Sequence, residues 1–184
     1  KVAYVGPELR TEFPLTAKEV VLLGRTARGG ALFRRNAEDE YPFVQEAMER
    51  CLCWDLRERD MDDLSGGERQ LVALARALAQ GAKVLFLDEA LSKMDLNHQV
   101  QIGKLLRDLV SKGYSILLVS HDINLASEWA DSALLLKAGK KIHEGPIRSV
   151  LTQEQMNILY PGASLMVGVS PVNGAPKVFF GKYK

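Results

Sequence analysis

Apolar residues follow two alternating patterns through the middle of the chain. Two short segments, Val84–Leu87 and Ile116–Val119, are wholly apolar, as expected of strands buried on both faces of a parallel sheet. Helical spacing marks the apolar residues that precede and separate them: Leu71, Leu74, Ala75, Leu78, Ile102, Leu105, Leu106 and Leu109. Strands that alternate with amphipathic helices predict an α/β fold with a mainly parallel sheet covered by helices.

The N-terminal part of the chain is predicted to contain a strand and two helices. Residues 1–5 predict a strand, and Thr16 is placed to cap a short helix ending at Leu23. Residues 24–36 carry four Arg and three Gly and predict a loop. A second helix is predicted from the spacing of Val44, Ala47, Met48 and Cys51. Cys51 and Cys53 would then point to different helix faces, which predicts reduced thiols.

The C-terminal part gives weaker signals. Residues 133–137 and 141–144, joined around Gly139, predict a hairpin at the edge of the sheet. Pro146 begins a segment that predicts a small helical tail. The last twenty or so residues are interrupted by Gly and Pro and predict no regular element.

Composition and charge limit the partners of the protein. The 184 residues are 47% hydrophobic and 26% charged, with a formal net charge of +1, the balance of an ordinary globular domain. So small a net charge provides no general attraction to nucleic acid, which we do not expect as a partner. No apolar run approaches the ~18 residues that span a bilayer, so any membrane role would come through a partner.

The run Leu64–Gln70 contains a capping box for a helix start. Ser65 and Glu68 have the spacing at which each side chain satisfies the other's backbone N–H. Between them, Gly66 and Gly67 leave backbone N–H groups bare, so that a phosphate could approach closely. An ordinary capped helix is the alternative interpretation of these four residues.

Acidic residues and a histidine follow the two predicted strands directly. Asp88 and Glu89 come after the first strand and His121 comes soon after the second. Ligands of open α/β sheets bind beyond the carboxyl ends of the strands. One carboxylate there could hold Mg²⁺ and another could deprotonate water, while the histidine could contact a phosphate. Acids that merely end a strand, and a structural histidine, are the alternatives.

These motifs together resemble those of the ATP-hydrolysing domains of ABC transporters. Leu64–Gln70 resembles the signature motif, and Leu87–Glu89 resembles the end of the Walker B strand. Ser92 and Asp95 match the D-loop, and His121 matches the switch histidine. The resemblance implies an incomplete P-loop NTPase-type core together with a helical subdomain.

The resemblance also implies a role for each matched residue, with ATP and Mg²⁺ as cofactors. Asp88 would serve Mg²⁺, Glu89 would be the general base, and His121 would sense the γ-phosphate. The other nucleotide-binding residues would be Ser65, Gly66, Gly67, Glu68 and Asp95, of which the serine and the two glycines would contact ATP on the opposing subunit. The implied partners are a second such domain, as a homodimer, and transmembrane permease subunits.

A narrower resemblance is to the ATPases of bacterial importers for iron-siderophore, haem and vitamin B12. It rests on residues 12–16, 19–25 and 120–126, and on the tail around Tyr160-Pro161-Gly162. It implies a protein of the cytoplasm, held on the inner face of the cell membrane through its permease. Residues 10–80 would form the helical subdomain, residues 1–9 and 81–150 parts of the α/β core, and residues 151–184 a tail.

Two departures from the family pattern affect these expectations. The run G-x-x-x-x-G-K-[ST], whose amides and lysine cradle ATP phosphates, does not occur, so we expect a truncated chain that is inactive alone. Pro7 stands where the family has the Q-loop glutamine, and Glu8 could substitute for it if the loop shifts by one residue. In the D-loop, Ala90, Lys93 and Met94 are unusual. The alternative function is a non-catalytic interaction domain without a nucleotide site of its own.

Overall fold

The computed structural model describes residues 1–9, 13–26 and 37–181, and the chain divides into two units, Lys1–Val119 and Ser120–Lys184. The first unit contains a three-stranded, wholly parallel sheet with the second strand in the middle. Its strands are β1 (Val2–Val5), β2 (Val84–Asp88) and β3 (Ser115–Val119). Its helices are α1 (Ala17–Thr26), α2 (Ala37–Arg50), α3 (Gly66–Ala79) and α4 (Leu96–Ser111), with short 3-10 turns at Trp54–Leu56 and Met61–Asp63. The predicted parallel strands and helices of this part are confirmed.

The two faces of the sheet differ in burial. One face is closed, since Ala3, Val5, Leu85 and Leu87 are all fully buried. The opposite row is largely open: Val2, Tyr4, Val84, Leu117 and Val119 are exposed by 64%, 49%, 39%, 58% and 41%. The expectation that these apolar strands are buried on both faces is therefore wrong for one face. Side chains alternate along a strand, so a strand can be wholly apolar and still present every second residue to solvent.

A matched pair of leucine substitutions distinguishes the two faces. We expect Leu117→Ser to change the free energy of unfolding by less than about 0.5 kcal/mol and to reduce the binding of a dye for apolar surfaces. We expect Leu85→Ala, on the closed face, to cost about 2–5 kcal/mol. Urea unfolding, dye fluorescence and light scattering measure these effects. A Leu117→Ser cost as large as that of Leu85→Ala would contradict the assignment of the faces.

Helix α1 begins where predicted but continues further. Thr16 and Glu19 form a capping box, in which the Thr16 N–H donates to Glu19 Oε2 at 2.8 Å and the Glu19 N–H donates to Thr16 Oγ1 at 3.3 Å. The helix ends at Thr26 rather than Leu23, so the loop predicted from residue 24 is wrong for its first three residues. Position 24 has no room for a side chain because α1 and α3 touch there, and a Cβ would lie 2.3 Å from the Arg76 carbonyl oxygen. The rest of that predicted loop, residues 27–36, lies outside the described residues.

A buried ion pair joins the three helices of the first unit. Arg25 on α1 and Glu40 on α2 are each 8% exposed, and Arg25 Nε lies 2.5 Å from Glu40 Oε2. The same guanidinium donates to the Ala79 carbonyl of α3 at 2.8 Å and lies 4.1 Å from the ring centroid of Phe43. A single side chain thus ties together the ends of α1, α2 and α3.

The two cysteines lie beyond the end of α2 and are buried free thiols. Leu52, between them, has a φ of 59° and breaks the helix, so the expectation that both cysteines belong to one helix is wrong. Burial raises the pKa of Cys51 well above its usual value and that of Cys53 to about 12. The predicted reduced state agrees with this burial.

The second unit consists of short helices and two separate hairpins. Its elements are α5 (Ile123–Trp129), β4 (Ser132–Lys137), β5 (Lys140–Pro146), α6 (Ile147–Val150), α7 (Gln153–Leu159), β6 (Leu165–Val169) and β7 (Pro176–Phe180). The predicted hairpin around Gly139 and the helices after Pro146 are confirmed. The β4–β5 hairpin is a two-stranded sheet of its own, not the edge of the parallel sheet. The antiparallel β6–β7 pair was not predicted. Among the described residues, no helix has the length and apolarity needed to cross a membrane.

Candidate functional site

The start of α3 is fixed by the predicted capping box. The Glu68 N–H donates to Ser65 Oγ at 3.2 Å, and the Ser65 N–H donates to Glu68 Oε2 at 2.7 Å. This backbone hydrogen bond, with smaller contributions from the Ser65 side chain and from Arg59, lowers the pKa of Glu68. Ser65 itself is exposed. The box leaves the first amides of α3 directed out of the helix, where an anion could bind.

The two glycines after Ser65 lie against the segment that follows β2. A Cβ at Gly67 would be 2.9 Å from the Lys93 carbonyl oxygen, and one at Gly66 would be 3.4 Å from Lys93 Cδ. Gly67 therefore has no room for a side chain, because backbone is the obstacle. The first unit brings the predicted signature motif and D-loop into contact.

Two residues that depart from the family pattern form an ion pair. Lys93 Nζ lies 3.4 Å from Glu8 Oε1, with side chains 43% and 51% exposed. A pair this exposed contributes little to stability. Glu8, the residue that could replace the Q-loop glutamine, therefore has a cationic neighbour.

Gln70, the last residue of the predicted signature motif, makes buried contacts that the sequence does not predict. It is only 2% exposed, and its Nε2 donates to the Pro7 carbonyl at 2.6 Å, with a longer contact to Gly6 at 3.3 Å. The side chain joins α3 to the segment after β1. The available signal was a glutamine directly before the apolar face that begins at Leu71, a position that faces the core.

Asp88 lies half-buried at the carboxyl end of β2, as predicted. The Tyr4 hydroxyl donates to Asp88 Oδ2 at 3.1 Å, and the Tyr4 ring stacks on Phe86 with centroids 5.3 Å apart. The hydrogen bond to the carboxylate raises the pKa of Tyr4. Tyr4, on the exposed face of the sheet, therefore orients the carboxylate of Asp88, which is predicted to bind a metal.

Glu89 adopts a backbone conformation that is rare for a residue with a side chain. Its φ is 52°, in the left-handed region. Its N–H donates to the Val119 carbonyl at 3.0 Å, and its own carbonyl accepts from the Ser92 N–H at 3.2 Å and from Ser92 Oγ at 2.8 Å. These bonds hold a conformation that costs on the order of 1–3 kcal/mol by itself. Such conformations occur in turns, as at Leu52 and Ala138, and also at functional sites.

Asp88 could contribute one carboxylate ligand to a magnesium site. Among the described residues there is no group of three or more His, Cys, Asp and Glu that could hold a metal alone. Mg²⁺ is usually held by one or two carboxylates plus substrate phosphates and water. Asp88, at the end of a strand and beside Glu89, provides a carboxylate of this kind.

Asp95 caps helix α4, a function that needs no ligand. Its Oδ1 accepts from the His98 N–H at 2.9 Å, and its Oδ2 lies 2.7 Å from His98 Nδ1. The backbone hydrogen bond from His98 is the main cause that lowers the pKa of Asp95. The nucleotide-binding role assigned to Asp95 stays a prediction.

His121 belongs to the second unit, where it precedes α5 and is exposed. Asp122, the next residue, caps that helix by accepting from the Leu125 N–H at 2.9 Å. The structure thus places the predicted residues in three groups: Ser65–Glu68 beside the D-loop that leads to Asp95, Asp88 and Glu89 at the carboxyl end of β2, and His121 before α5.

Comparisons with known proteins agree with these motifs. The family profile described as ABC transporter matches residues 1–92. The hemin import ATP-binding protein HmuV of Hahella chejuensis is 37% identical over 185 residues, covering 96% of this chain and 69% of that protein. HmuV of Escherichia coli O157:H7 is 38% identical, over 90% of this chain and 64% of that protein. The cobalamin import ATP-binding protein BtuD of Halobacterium salinarum is 36% identical, over 97% of this chain and 44% of that protein. The chain therefore spans only part of the length of these relatives.

Solved structures give the same result for the fold. An inward-facing metal-chelate type ABC transporter superposes with a TM-score of 0.82 at 26% identity, over 96% of this chain and 70% of that one. The dimeric ABC transporter cassette MJ0796 gives a TM-score of 0.71, also at 26% identity, over 79% of this chain and 62% of that one. The predicted P-loop NTPase-type α/β fold is confirmed. On its motifs, fold and relatives, this chain belongs to the ABC transporter family of ATP-binding domains.

Proposed function

We propose that the chain is part of the ATP-hydrolysing subunit that powers an importer for iron-siderophore, haem or cobalamin. The observation that carries this proposal is the contact between the start of α3 and the D-loop, with Gly67 against the Lys93 carbonyl. It places the exposed Ser65 and the outward amides of α3 beside the segment that leads from Glu89 to Asp95. Relatives named for hemin and cobalamin import support the choice of substrate.

The proposed site is composite, with each chain supplying half. Ser65, Gly66, Gly67 and Glu68 would contact ATP held by a second domain, through the amides and the dipole of α3. Bound Mg²⁺ would neutralise charge on the phosphates, and Asp88 would hold it. Glu89 would orient and deprotonate the attacking water, and Asp95 and His121 would complete the nucleotide contacts. The dimeric cassette MJ0796 supports a pair of such domains.

Association with a membrane is proposed through permease subunits. The predicted division into a helical subdomain (residues 10–80), α/β core (residues 1–9 and 81–150) and tail (residues 151–184) is part of this proposal. The protein would lie on the cytoplasmic face of the cell membrane and bind the permease from there. The comparisons give no support to the alternative, a non-catalytic interaction domain.

Uptake measurements test the proposed function. We expect disruption of the gene to abolish uptake of one of three labelled compounds: a ferric siderophore, haem or cobalamin. A plasmid-borne copy should restore that uptake, and uptake of a sugar by the same cells serves as the control. Unchanged uptake of all three compounds would contradict the proposal.

A further inference from the structure

One side chain of helix α5 makes hydrogen bonds to the backbone of strand β7 and so joins the two elements. The Asn124 amide group donates from Nδ2 to the Val178 carbonyl at 3.0 Å, and the Val178 N–H donates to Asn124 Oδ1 at 2.8 Å. This is the pair of hydrogen bonds that a neighbouring strand would make. Only a side-chain amide provides a donor and an acceptor side by side in this way.

Other contacts continue the attachment along α5. Ser127, 3% exposed, donates from Oγ to the Pro176 carbonyl at 2.5 Å. Lys177 Nζ donates to the Asn124 carbonyl at 3.0 Å and to Glu128 Oε2 at 2.5 Å. The hydrogen bond from Lys177 is the main cause that lowers the pKa of Glu128. Both ends of the short helix are therefore held by the β6–β7 hairpin.

The connection from α5 back to His121 is short and hydrogen-bonded. Asp122 caps the helix through Leu125, and its own N–H donates to Ser120 Oγ at 3.0 Å. His121 lies between the two residues of that second bond. The start of α5 is therefore linked to the backbone on either side of His121.

We propose that Asn124 is a positioning residue for His121, and that the β6–β7 hairpin is the support against which it acts. Seven residues make too short a helix to be stable without tertiary contacts, and the described contacts of α5 with β7 are polar and specific. Loss of the amide pair frees the first turn of α5 and, with it, the histidine. The value of a fixed His121 to ATP hydrolysis rests on the proposed function, but the positioning itself does not.

Hydrogen exchange and histidine NMR on the 184-residue chain test this proposal without nucleotide. In Asn124→Ala, we expect the amides of Asp122 and Leu125 to exchange about tenfold faster. We expect the imidazole Hδ2 cross-peak of His121 to broaden or move, while that of His143, in the same unit, stays in place. Asn124→Asp keeps the acceptor but sets a carboxylate oxygen against the Val178 carbonyl, and should resemble the alanine variant.

Ser149→Ala is the control, because it removes one exposed contact with the Pro146 carbonyl in the same unit and should leave the signals of His121, Asp122 and Leu125 unchanged. If the amide of Val178 exchanges faster in Asn124→Ala while the signals of His121 and Asp122 are unchanged, Asn124 holds only the hairpin and the proposal is wrong. If Asn124→Ala does not fold, Val178→Pro decides. This variant leaves Asn124 in place and removes from the hairpin side the N–H that Asn124 Oδ1 accepts, so a His121 signal that moves supports the proposal and one that does not overturns it.

Discussion

Replacement of Glu89 by glutamine should reduce ATP turnover by about 10²–10⁴-fold and leave MgATP binding intact, since a positioned general base contributes this much to rate. Glutamine has nearly the same shape but cannot accept the proton of water. Because the run G-x-x-x-x-G-K-[ST] is absent from these 184 residues, the measurement requires a protein in which a phosphate-binding loop of the family is joined before Lys1. Turnover is followed by phosphate release and binding by calorimetry.

A second Glu→Gln substitution controls for the change of charge. Glu154, exposed in the first turn of α7, is far along the chain from every predicted site residue, and its replacement should leave turnover unchanged. Turnover that survives in Glu89→Gln would show that another group is the base. Loss of both turnover and binding would instead give Glu89 a structural role.

Replacement of Arg25 by alanine should lower the free energy of unfolding by about 3–5 kcal/mol, because it removes the buried guanidinium that pairs with the Glu40 carboxylate. Glu40 is 8% exposed, so water reaches it poorly. The same change removes the hydrogen bond to the Ala79 carbonyl and the stacking on Phe43. Urea unfolding of the 184-residue chain measures the effect.

A double substitution separates the charge from the packing. Arg25→Met together with Glu40→Leu keeps much of the volume and removes both charges, so the pair should lose far less stability than Arg25→Ala alone. Arg25→Lys should also be costly, since an ammonium cannot reproduce the arrangement of donors toward Glu40 and Ala79. If Arg25→Ala lowered the free energy of unfolding by less than about 1 kcal/mol, the ion pair would contribute no more to stability than one exposed on the protein surface.

The sequence predicts those parts of the structure that depend on local pattern. The strands β2 and β3 follow from wholly apolar runs, and the start of α3 follows from the Ser65–Glu68 capping box. Asp88 and Glu89 were located because acids that end a parallel strand lie at a known edge of the sheet. Each of these signals is contained within a few consecutive residues.

The parts that were missed depend on contacts between distant residues. Gly24 lies inside α1 where this helix touches α3 near Arg76, a contact that the local sequence does not mark. The position of Gln70 before an apolar helical face indicates burial, but nothing near it in sequence identifies its partners, the carbonyls of Gly6 and Pro7 more than sixty residues away. The β6–β7 hairpin is interrupted by glycine and proline in sequence, and its bonds to Asn124 and Ser127 cross about fifty residues. In addition, a wholly apolar strand with one face exposed to solvent has the same sequence pattern as a strand buried on both faces.

At Glu89, the residue type that the left-handed backbone favours differs from the residue type that the proposed chemistry requires. Glycine would adopt a φ of 52° without steric cost, whereas a residue with a Cβ is strained there. The proposed chemistry needs a carboxylate there, and only residues with a Cβ can supply one. Backbone preference therefore favours glycine at this position, whereas the proposed chemistry requires a carboxylate. Stabilising substitutions chosen by backbone preference should avoid this position, however favourable they look.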